Sequence, residues 1–369
     1  MSEHICTLSN QDEVYFFEKS IVIYFKGQRK VLSTSLFNGG YHEDYTAVFN
    51  YDAKQGAGMP CEMLADTYPE HMRLISKRLA LDPDHVSGMG TAASMENVAV
   101  ESMSYKDLTV TAIVTGGIET NGGRVGDPAD YYKPQPKPQK YGTINIMLVL
   151  DCDVPAGTLT RALVTCTEAK TAALQELLEG SKYSNGIATG SGTDTTIVVA
   201  NSESDLYLEG AGKHSKLGEL IGKAVKKAVK RALDNQSGLN QRTQHDVFRR
   251  IKRFGITTRS MWEAYQKLTG APVKAEFMVV AEALAKENDM LCLTSLYIHL
   301  MDQYLWELIS AEEMQQTGQL LLNSLANGYD VVEVNISAGA LESMLEAWQQ
   351  LYMQIIAKRA GLKYTMPVE

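Results

Sequence analysis

The first 150 residues alternate short runs of β-branched and aromatic residues with polar or glycine-rich turns. Such runs predict strands, because branched and aromatic side chains pack well on a pleated surface. The run at 143–151, TINIMLVLD, is almost continuously apolar, which is typical of a strand covered on both faces. The predicted strands are Val14–Phe17, Ile21–Phe25, Val31–Phe37, Ala47–Tyr51, Asn97–Ser104, Leu108–Thr115, 143–151 and Thr195–Ala200.

Helical periodicity replaces this pattern after residue 155. Apolar residues recur every three or four positions over 158–178 and again over 215–233. Pro155 precedes the first of these segments and Gly180 follows it, as expected at the two ends of a helix. Strands followed by helices that are long enough to cover a sheet predict a layered α/β architecture.

The pattern changes again near residue 238. Residues 235–240 are polar, and helical spacing dominates from there to the end of the chain. We therefore predict an α/β domain over 1–238 and an all-helical domain over 239–369. The helical part carries no catalytic signature and is interpreted as a packing or dimerisation module, which makes a homo-oligomer possible.

The composition excludes several classes of protein but indicates no particular chemistry. The chain has 44 acidic and 35 basic residues, so its charge does not indicate a nucleic-acid partner. The sequence contains no run of 18 apolar residues, and its first residues lack the basic and apolar regions of a signal peptide. The five cysteines are widely spaced without a CxxC motif. We expect a cytoplasmic protein with no membrane span.

The common catalytic motifs are absent. We find no HExxH, GxxxxGK[ST] or GxSxG motif, and no GxGxxG followed by an acidic residue. The seven histidines show no close pairing that would indicate a metal site. We therefore expect chemistry without a bound metal or cofactor.

Three clusters of small and polar residues flank predicted strands. They are Asn38-Gly39-Gly40, 115–127 and 189–196. The second contains five glycines, and its polar side chains include Glu119, Asn121, Arg124 and Asp127. Glycines allow backbone N–H groups to approach a ligand, although each cluster alone is also typical of a simple turn. Three such clusters beside core strands favour one ligand site where the strand ends converge.

These clusters belong to a series of segments that resembles the adenosylcobinamide amidohydrolase family. The segments, in the family's order, are 38–40, 116–127, 142–145, 167–177, 189–194 and 214–219. The resemblance implies hydrolysis of the amide that joins an aminopropanol arm to an adenosylated corrinoid, giving adenosylcobyric acid. The corrinoid and its cobalt are then the substrate and not a cofactor.

The same resemblance suggests the site residues. The expected substrate-binding residues are Asn38, Gly39, Gly40, Gly116, Gly117, Glu119, Asp127, Glu168, Lys170, Gly190, Gly192 and Thr193. The candidate catalytic residues are Thr143, Asn121, His214 and Asp194.

A more distant resemblance concerns the mechanism. Gly142-Thr143, followed by an apolar strand, a proline and a long helix, resembles the self-processing ornithine acetyltransferases and DmpA-type aminopeptidases. Their nucleophilic Thr or Ser begins such a strand, and a terminal threonine can use its own amine as the base. The resemblance implies an αββα sandwich. Thr143 is otherwise a threonine that merely starts a strand.

Structural alternatives exist for the other candidates. Lys170 could reach solvent from the edge of its helix, and Asp194 could cap a turn. His214 could be a general base or a surface residue. The lysines over 216–230 predict a solvated helix face, or contacts to a phosphorylated substrate.

The segment 127–142 contains four prolines and is expected to be extended and exposed. Two other functions also fit the sequence, a non-catalytic corrinoid-binding protein and an aminopeptidase or acyltransferase on the same fold.

Overall fold

The computed structural model describes residues 2–54, 61, 63–129, 132 and 143–364. The chain divides into two compact units, residues 1–240 and 241–369. The division follows Gly238, whose positive φ of 68° ends the last helix of the first unit. Most of the proline-rich segment, and Gly142 with it, lies outside the described residues.

The first unit contains strands and helices in an order close to the predicted one. The strands described there are β1 (Ser2–Thr7), β2 (Glu13–Phe17), β3 (Ser20–Tyr24), β4 (Arg29–Ser33), β5 (Gly40–His42), β6 (Ala47–Asp52), β7 (Val86–Thr91), β8 (Ala99–Tyr105), β9 (Leu108–Gly117), β10 (Gly122–Gly123), β11 (Thr143–Leu150), β12 (Gly190–Ser191) and β13 (Thr195–Asn201). The α-helices are α1 (Tyr68–Arg78), α2 (Ala156–Leu177) and α3 (Lys216–Ser237).

These strands form two main sheets. Sheet A has the order β1-β2-β3-β6-β7, and sheet B has the order β5-β4-β13-β11-β9-β8. β6 runs parallel to β7, and β11 runs parallel to β13. β9 runs antiparallel to β11, and β4 runs antiparallel to β13. The short strands β10 and β12 form a separate antiparallel ladder.

Strand β11 shows how the layers are built. All eight of its residues are buried, as the apolar run predicts. Ile144, Ile146 and Leu148 pack with residues of α2 and α3, whereas Met147 and Val149 pack with residues of sheet A. Because side chains alternate between the faces of a strand, sheet B is covered by helices on one face and by sheet A on the other.

The other face of sheet A completes the sandwich. Met72 and Ile75 of α1 pack there against Phe49 of β6 and Val86 of β7. The layer order is therefore helices, sheet B, sheet A and helix. The predicted αββα architecture is confirmed.

Strands β1, β5, β7, β10 and β12 were not expected from the sequence. β7 contains Gly88 and Gly90, which weaken a strand prediction because glycine has low strand propensity. A Cβ on Gly88 would lie 2.2 Å from the ring of Phe49, and one on Gly90 would lie 3.3 Å from Tyr68. Tertiary packing therefore favours glycine at positions where local propensity disfavours it.

The second unit is helical, as predicted. Its described α-helices are α4 (Val247–Ile251), α5 (Thr258–Thr269), α6 (Lys274–Leu284), α7 (Asn288–Leu305), α8 (Ala311–Tyr329) and α9 (Leu341–Ala360). Its core includes the buried aromatic residues Trp348, Tyr297 and Phe277. Among the described residues, none of the helices is both long and apolar enough to cross a membrane.

Candidate functional site

The two parallel strands of sheet B, β11 and β13, both begin at one edge of the sheet. Asn145 of β11 is paired with Thr195 of β13. Thr143, the first residue of β11, is paired with Gly117 at the end of antiparallel β9. The segments that follow β9 and precede β13 therefore meet at this edge, which we call the β11 edge.

The two glycine-rich segments pair with each other there. Gly122 lies opposite Ser191 in the ladder of β10 and β12. Asn121 directly precedes this ladder and is buried. Two of the three predicted clusters thus converge, and they bring Asn121 and Asp194 to the same edge.

Asp194 is the centre of the hydrogen bonding at the β11 edge. Its Oδ1 accepts the backbone N–H of Ile144 at 2.8 Å and the hydroxyl of Ser191 at 2.7 Å. Its Oδ2 accepts the N–H of Ser191 at 3.0 Å and the ammonium group of Lys170. Four donors occupy the roughly four lone-pair directions of a carboxylate. Asp194 therefore fixes the 189–194 loop to the start of β11 and is poorly placed to act as a base.

The Lys170–Asp194 ion pair connects the helix layer to this loop. Lys170 lies in the second half of α2, and the two side chains are 12% and 10% exposed. A Cβ on Gly190 would lie 2.4 Å from Asp194 Oδ2 and 2.8 Å from Lys170 Nζ. The loop can cover the ion pair this closely because residue 190 has no side chain.

Thr143 lies at the inner face of sheet B, where β11 begins. Its side chain is almost fully buried, with 3% of the residue exposed. Its hydroxyl lies 2.6 Å from the carbonyl oxygen of Thr193 and 3.3 Å from Oδ1 of Asn145. Both neighbours are acceptors, so the single hydroxyl proton can be donated to one of them at a time.

A buried amide network behind Thr143 was missed by the sequence analysis. Asn145 donates through Nδ2 to Oδ1 of Asn50 at 2.8 Å and to the carbonyl oxygen of Gly90 at 3.1 Å. Asn50 in turn donates to the hydroxyl of Thr115 at 2.8 Å. The signal that could have revealed it is an asparagine inside each of two apolar strands, β6 and β11.

Asp127 stabilises the end of the first glycine-rich segment. Its Oδ2 accepts the N–H of Arg124 at 2.7 Å and the hydroxyl of Ser181 at 2.6 Å. Partial burial acts to raise the pKa of Asp127, but the hydrogen bonds from Ser181 and Ser184 and the nearby Arg124 outweigh it. The pKa of this carboxyl is therefore lowered. Asp127 holds the loop in shape, and no contact shows it reaching towards Thr143 among the described residues.

The comparisons with known proteins agree with the resemblance in the sequence. The model of the adenosylcobinamide amidohydrolase family matches residues 5–241. The chain belongs to this family. Uncharacterized protein MJ1613 of Methanocaldococcus jannaschii is 33% identical over 231 residues, which are 59% of this chain and 87% of that protein. The PH0078 protein of Pyrococcus horikoshii OT3 covers 69% of this chain and 92% of its own at 11% identity and a TM-score of 0.30, too low to support an argument.

The match of the adenosylcobinamide amidohydrolase family ends at the boundary between the two units. Almost all of the helical unit, 241–369, lies beyond residue 241. The candidate site is therefore built from residues of the matched unit.

Several predicted binding residues of this family member lie at the β11 edge or in its loops. They are Gly116, Gly117, Glu119, Lys170, Gly190, Gly192 and Thr193. Gly192 and Thr193 are exposed at the tip of their loop, and Glu119 is exposed in the turn after β9. The neighbouring Ser191 was part of the predicted cluster but was not singled out.

The Asn38-Gly39-Gly40 cluster forms a turn of the fold. The Asn38 amide donates to the carbonyl oxygens of Pro83 and Val86, at 2.7 Å each. A Cβ on Gly39 would lie 2.0 Å from the carbonyl oxygen of Ser35, and Gly40 has a φ of 100°. Both amide hydrogens of Asn38 are used to hold the start of β7, and a role for Asn38 in binding substrate stays a prediction.

His214 lies away from the β11 edge. It is exposed just before α3, whereas Gln236 at the other end of α3 lies beside Gly117. The 22 residues of α3 span about 33 Å at 1.5 Å per residue. His214 was a candidate general base. Because α3 begins at the opposite end of the strands, His214 does not lie beside Thr143, and a catalytic role for it stays a prediction.

Glu168 also lies outside the cluster. It is exposed, and it pairs with Lys213 at 2.9 Å and with Arg161 at 3.8 Å. The hydrogen bond from Lys213 holds the pKa of Glu168 below its ordinary value. Its side chain leaves α2 on a different face from Lys170, and its expected binding role stays a prediction.

The lysines of α3 form a solvated face with acidic partners. Lys223 pairs with Glu219, and Lys226 and Lys230 both pair with Glu176. Each of these lysines has an acidic partner within the protein, although Lys226 and Lys230 share one carboxylate. In the part of the chain that the structure describes, no three His, Cys, Asp or Glu residues are grouped so as to hold a metal ion.

Proposed function

We propose that the first unit hydrolyses the amide bond between the aminopropanol arm and the corrin ring of adenosylcobinamide. The products are adenosylcobyric acid and aminopropanol, or its phosphate when the arm is phosphorylated. Family membership over 5–241 supports the reaction class and the substrate. The cobalt belongs to the substrate, and we propose no further cofactor.

The environment of the Thr143 hydroxyl carries the mechanistic part of this proposal. Its recorded polar neighbours within the described residues, the Thr193 carbonyl oxygen and Asn145 Oδ1, are both acceptors. Such neighbours attract the proton and leave the oxygen lone pairs for an electrophile. The Thr143 hydroxyl also lies at the start of the buried strand β11, which limits its motion.

The proposed reaction proceeds in two stages. Thr143 Oγ attacks the amide carbon, a base takes the hydroxyl proton, and the C–N bond breaks as that proton passes to the leaving amine. Water then hydrolyses the threonine ester, which releases the carboxylic acid and restores the hydroxyl. The sum is amide plus water giving acid plus amine. We propose that Asn121 and backbone N–H groups of the paired loops stabilise the oxyanion, for which one donor typically contributes about 10²–10³ in rate.

The base in this mechanism is the amine of Thr143 itself. Asp194 is disfavoured because four donors occupy its carboxylate. A free amine at Thr143 requires cleavage of the Gly142–Thr143 bond, as in the self-processing families that the sequence resembles. Mass spectrometry of the purified chain should then show fragments 1–142 and 143–369. An intact chain with full activity would contradict this choice of base.

Incubation of the purified protein with adenosylcobinamide tests the function. We expect adenosylcobyric acid and aminopropanol in equal amounts. Chromatography and mass spectrometry detect both products. Retention of the intact corrinoid without cleavage would favour a corrinoid-binding protein instead. Cleavage of peptide substrates but not of adenosylcobinamide would favour an aminopeptidase on the same fold.

A cytoplasmic location, the lack of a nucleic-acid partner and self-association through the helical unit stay predictions. Cell fractionation and light scattering of the purified protein would test the first and the last.

A further inference from the structure

The two sheets of the sandwich are joined by a buried hydrogen bond between two asparagines. Asn50 lies on β6 of sheet A and Asn145 lies on β11 of sheet B. Their amides meet at 2.8 Å, and the two residues are 2% and 0% exposed. Buried amides are costly unless they are hydrogen-bonded, so both groups need the partners that they have here.

The surroundings determine how the Asn145 amide is turned. The carbonyl oxygen of Gly90 lies 3.1 Å from Asn145 Nδ2 and can only accept. The reversed amide would place two acceptor oxygens against each other. Asn50 supports the same orientation, because its Nδ2 donates to Thr115 and its Oδ1 is left to accept from Asn145.

The orientation of the Asn145 amide determines which of its atoms faces the Thr143 hydroxyl. With Nδ2 directed at Asn50 and Gly90, Asn145 presents Oδ1 to the Thr143 hydroxyl at 3.3 Å. A flipped amide would instead donate a hydrogen bond to Thr143 and occupy a lone pair of the proposed nucleophile. The Gly90 carbonyl and Asn50 together hold the polarity of the group that faces Thr143, and Asn50 does so without contacting Thr143.

We infer that Asn50 is a positioning residue for the reaction, acting through the Asn145 amide on the Thr143 hydroxyl. The inference rests on the proposed function. It assigns a role in turnover to a residue of sheet A, whereas the β11 edge is otherwise built from sheet B and the loops and helix next to it.

The experiment compares Asn50→Ala with Ser87→Ala, each expressed from the full-length sequence. Ser87 is a matched control, because its hydroxyl also joins the two sheets through a buried bond, to Ser33 at 2.8 Å, and neither residue contacts Thr143. For Asn50→Ala we expect kcat on adenosylcobinamide to fall about 10- to 100-fold with KM nearly unchanged, the size of effect that misplacement of a reacting group produces. Ser87→Ala should keep kcat within about twofold at a comparable loss of Tm.

Thr115→Val is the second variant, because it removes only the hydrogen bond that orients Asn50 and nearly preserves side-chain volume. It should lower kcat severalfold and also lower Tm by a few degrees, because the buried Nδ2 of Asn50 loses its partner. Equal losses of kcat in Asn50→Ala and Ser87→Ala would overturn the inference, as would a change confined to KM. If Asn50→Ala does not fold, an unchanged kcat in Thr115→Val overturns it. A wild-type protein that does not cleave adenosylcobinamide refutes the proposed function before any variant is compared.

Discussion

Lys170 and Asp194 form an ion pair that is nearly closed to solvent, with 12% and 10% of their side chains exposed. The pair joins α2 to the loop before β13, and Asp194 also accepts the N–H of Ile144 next to Thr143. Removing one member of a buried pair leaves an uncompensated charge, whereas removing both is often tolerated. We therefore interpret the Lys170–Asp194 ion pair as a contact that holds the loop before β13 and the start of β11 in place.

Replacement of Lys170 by Met should destabilise the protein by about 3–5 kcal/mol, because Asp194 would remain charged without its partner. Urea unfolding of the purified variant measures this loss. The double variant Lys170→Met/Asp194→Asn should recover part of the lost free energy of unfolding, since neither charge remains, although the new amide group would face the N–H of Ser191. A double variant that is less stable than both single variants would show that the pair does not act in this way.

Gly190 and Gly192 provide a matched pair of substitutions within one loop. An alanine Cβ at Gly190 would collide with both members of the ion pair, whereas one at Gly192 would meet nothing within 4 Å. Gly190→Ala should therefore lower turnover of adenosylcobinamide strongly and destabilise the protein by about 1–3 kcal/mol. Gly192→Ala should leave the free energy of unfolding nearly unchanged. Equal behaviour of the two variants, measured by steady-state assay and urea unfolding, would contradict the described loop geometry.

Thr143 and His214 separate the two catalytic hypotheses that the sequence left open. Thr143→Ala should lose several orders of magnitude in rate while corrinoid binding survives, and Thr143→Ser should retain part of the rate because a hydroxyl remains. His214→Ala should turn over at nearly the wild-type rate, because the residue is exposed at the far end of α3. Steady-state rates, measured with equal amounts of protein whose folding is checked by circular dichroism, distinguish the two hypotheses. A Thr143→Ala variant with wild-type rate would end the nucleophile hypothesis.

The local patterns in the sequence predicted the main elements well. The apolar run of β11 and the three-and-four spacing of α2 are properties of neighbouring residues, and both appear within a few positions of their expected bounds. The convergence of the two glycine-rich segments followed from their positions at strand ends. The distance of His214 from the β11 edge could also have been predicted from the sequence. His214 follows β13, whereas Asp194 precedes it, so a helix that returns along the sheet must begin at the opposite end.

Other features depend on contacts that no local pattern contains. Asn50 and Asn145 are 95 positions apart, and their pairing requires the register of two different sheets. Asn38 was interpreted as a ligand group because a polar residue before two glycines is common to binding loops and to turns. Only the positions of Pro83 and Val86 show that its amide is used within the fold. Burial of polar residues by distant strands is therefore the part that the sequence does not reveal.

Asp127 should make stability depend on pH. Its pKa is lowered in the folded protein, so its ionised form stabilises the fold. This stabilisation is fully present above the unfolded value, about 3.9, and is lost as the pH falls through the lower folded value. Asp127→Asn should therefore be less stable than wild type at pH 7, and the difference should shrink below about pH 4. Urea unfolding between pH 7 and pH 3 measures it, with Asp66→Asn as the control for removing one exposed negative charge. A difference that grows on acidification would have the wrong sign.

Chelation provides the last test, because it addresses the proposed chemistry directly. A threonine nucleophile with an amine base needs no metal ion, and the cobalt of the substrate is held by its own macrocycle. Preincubation with EDTA or a zinc-selective chelator, followed by dialysis, should therefore leave the rate on adenosylcobinamide unchanged. The parallel sample is Thr143→Ala with added zinc, which should stay inactive if the hydroxyl supplies the nucleophile. Loss of wild-type activity on chelation and its return with zinc would instead indicate a metal-activated water, and the role given to Thr143 would have to be abandoned.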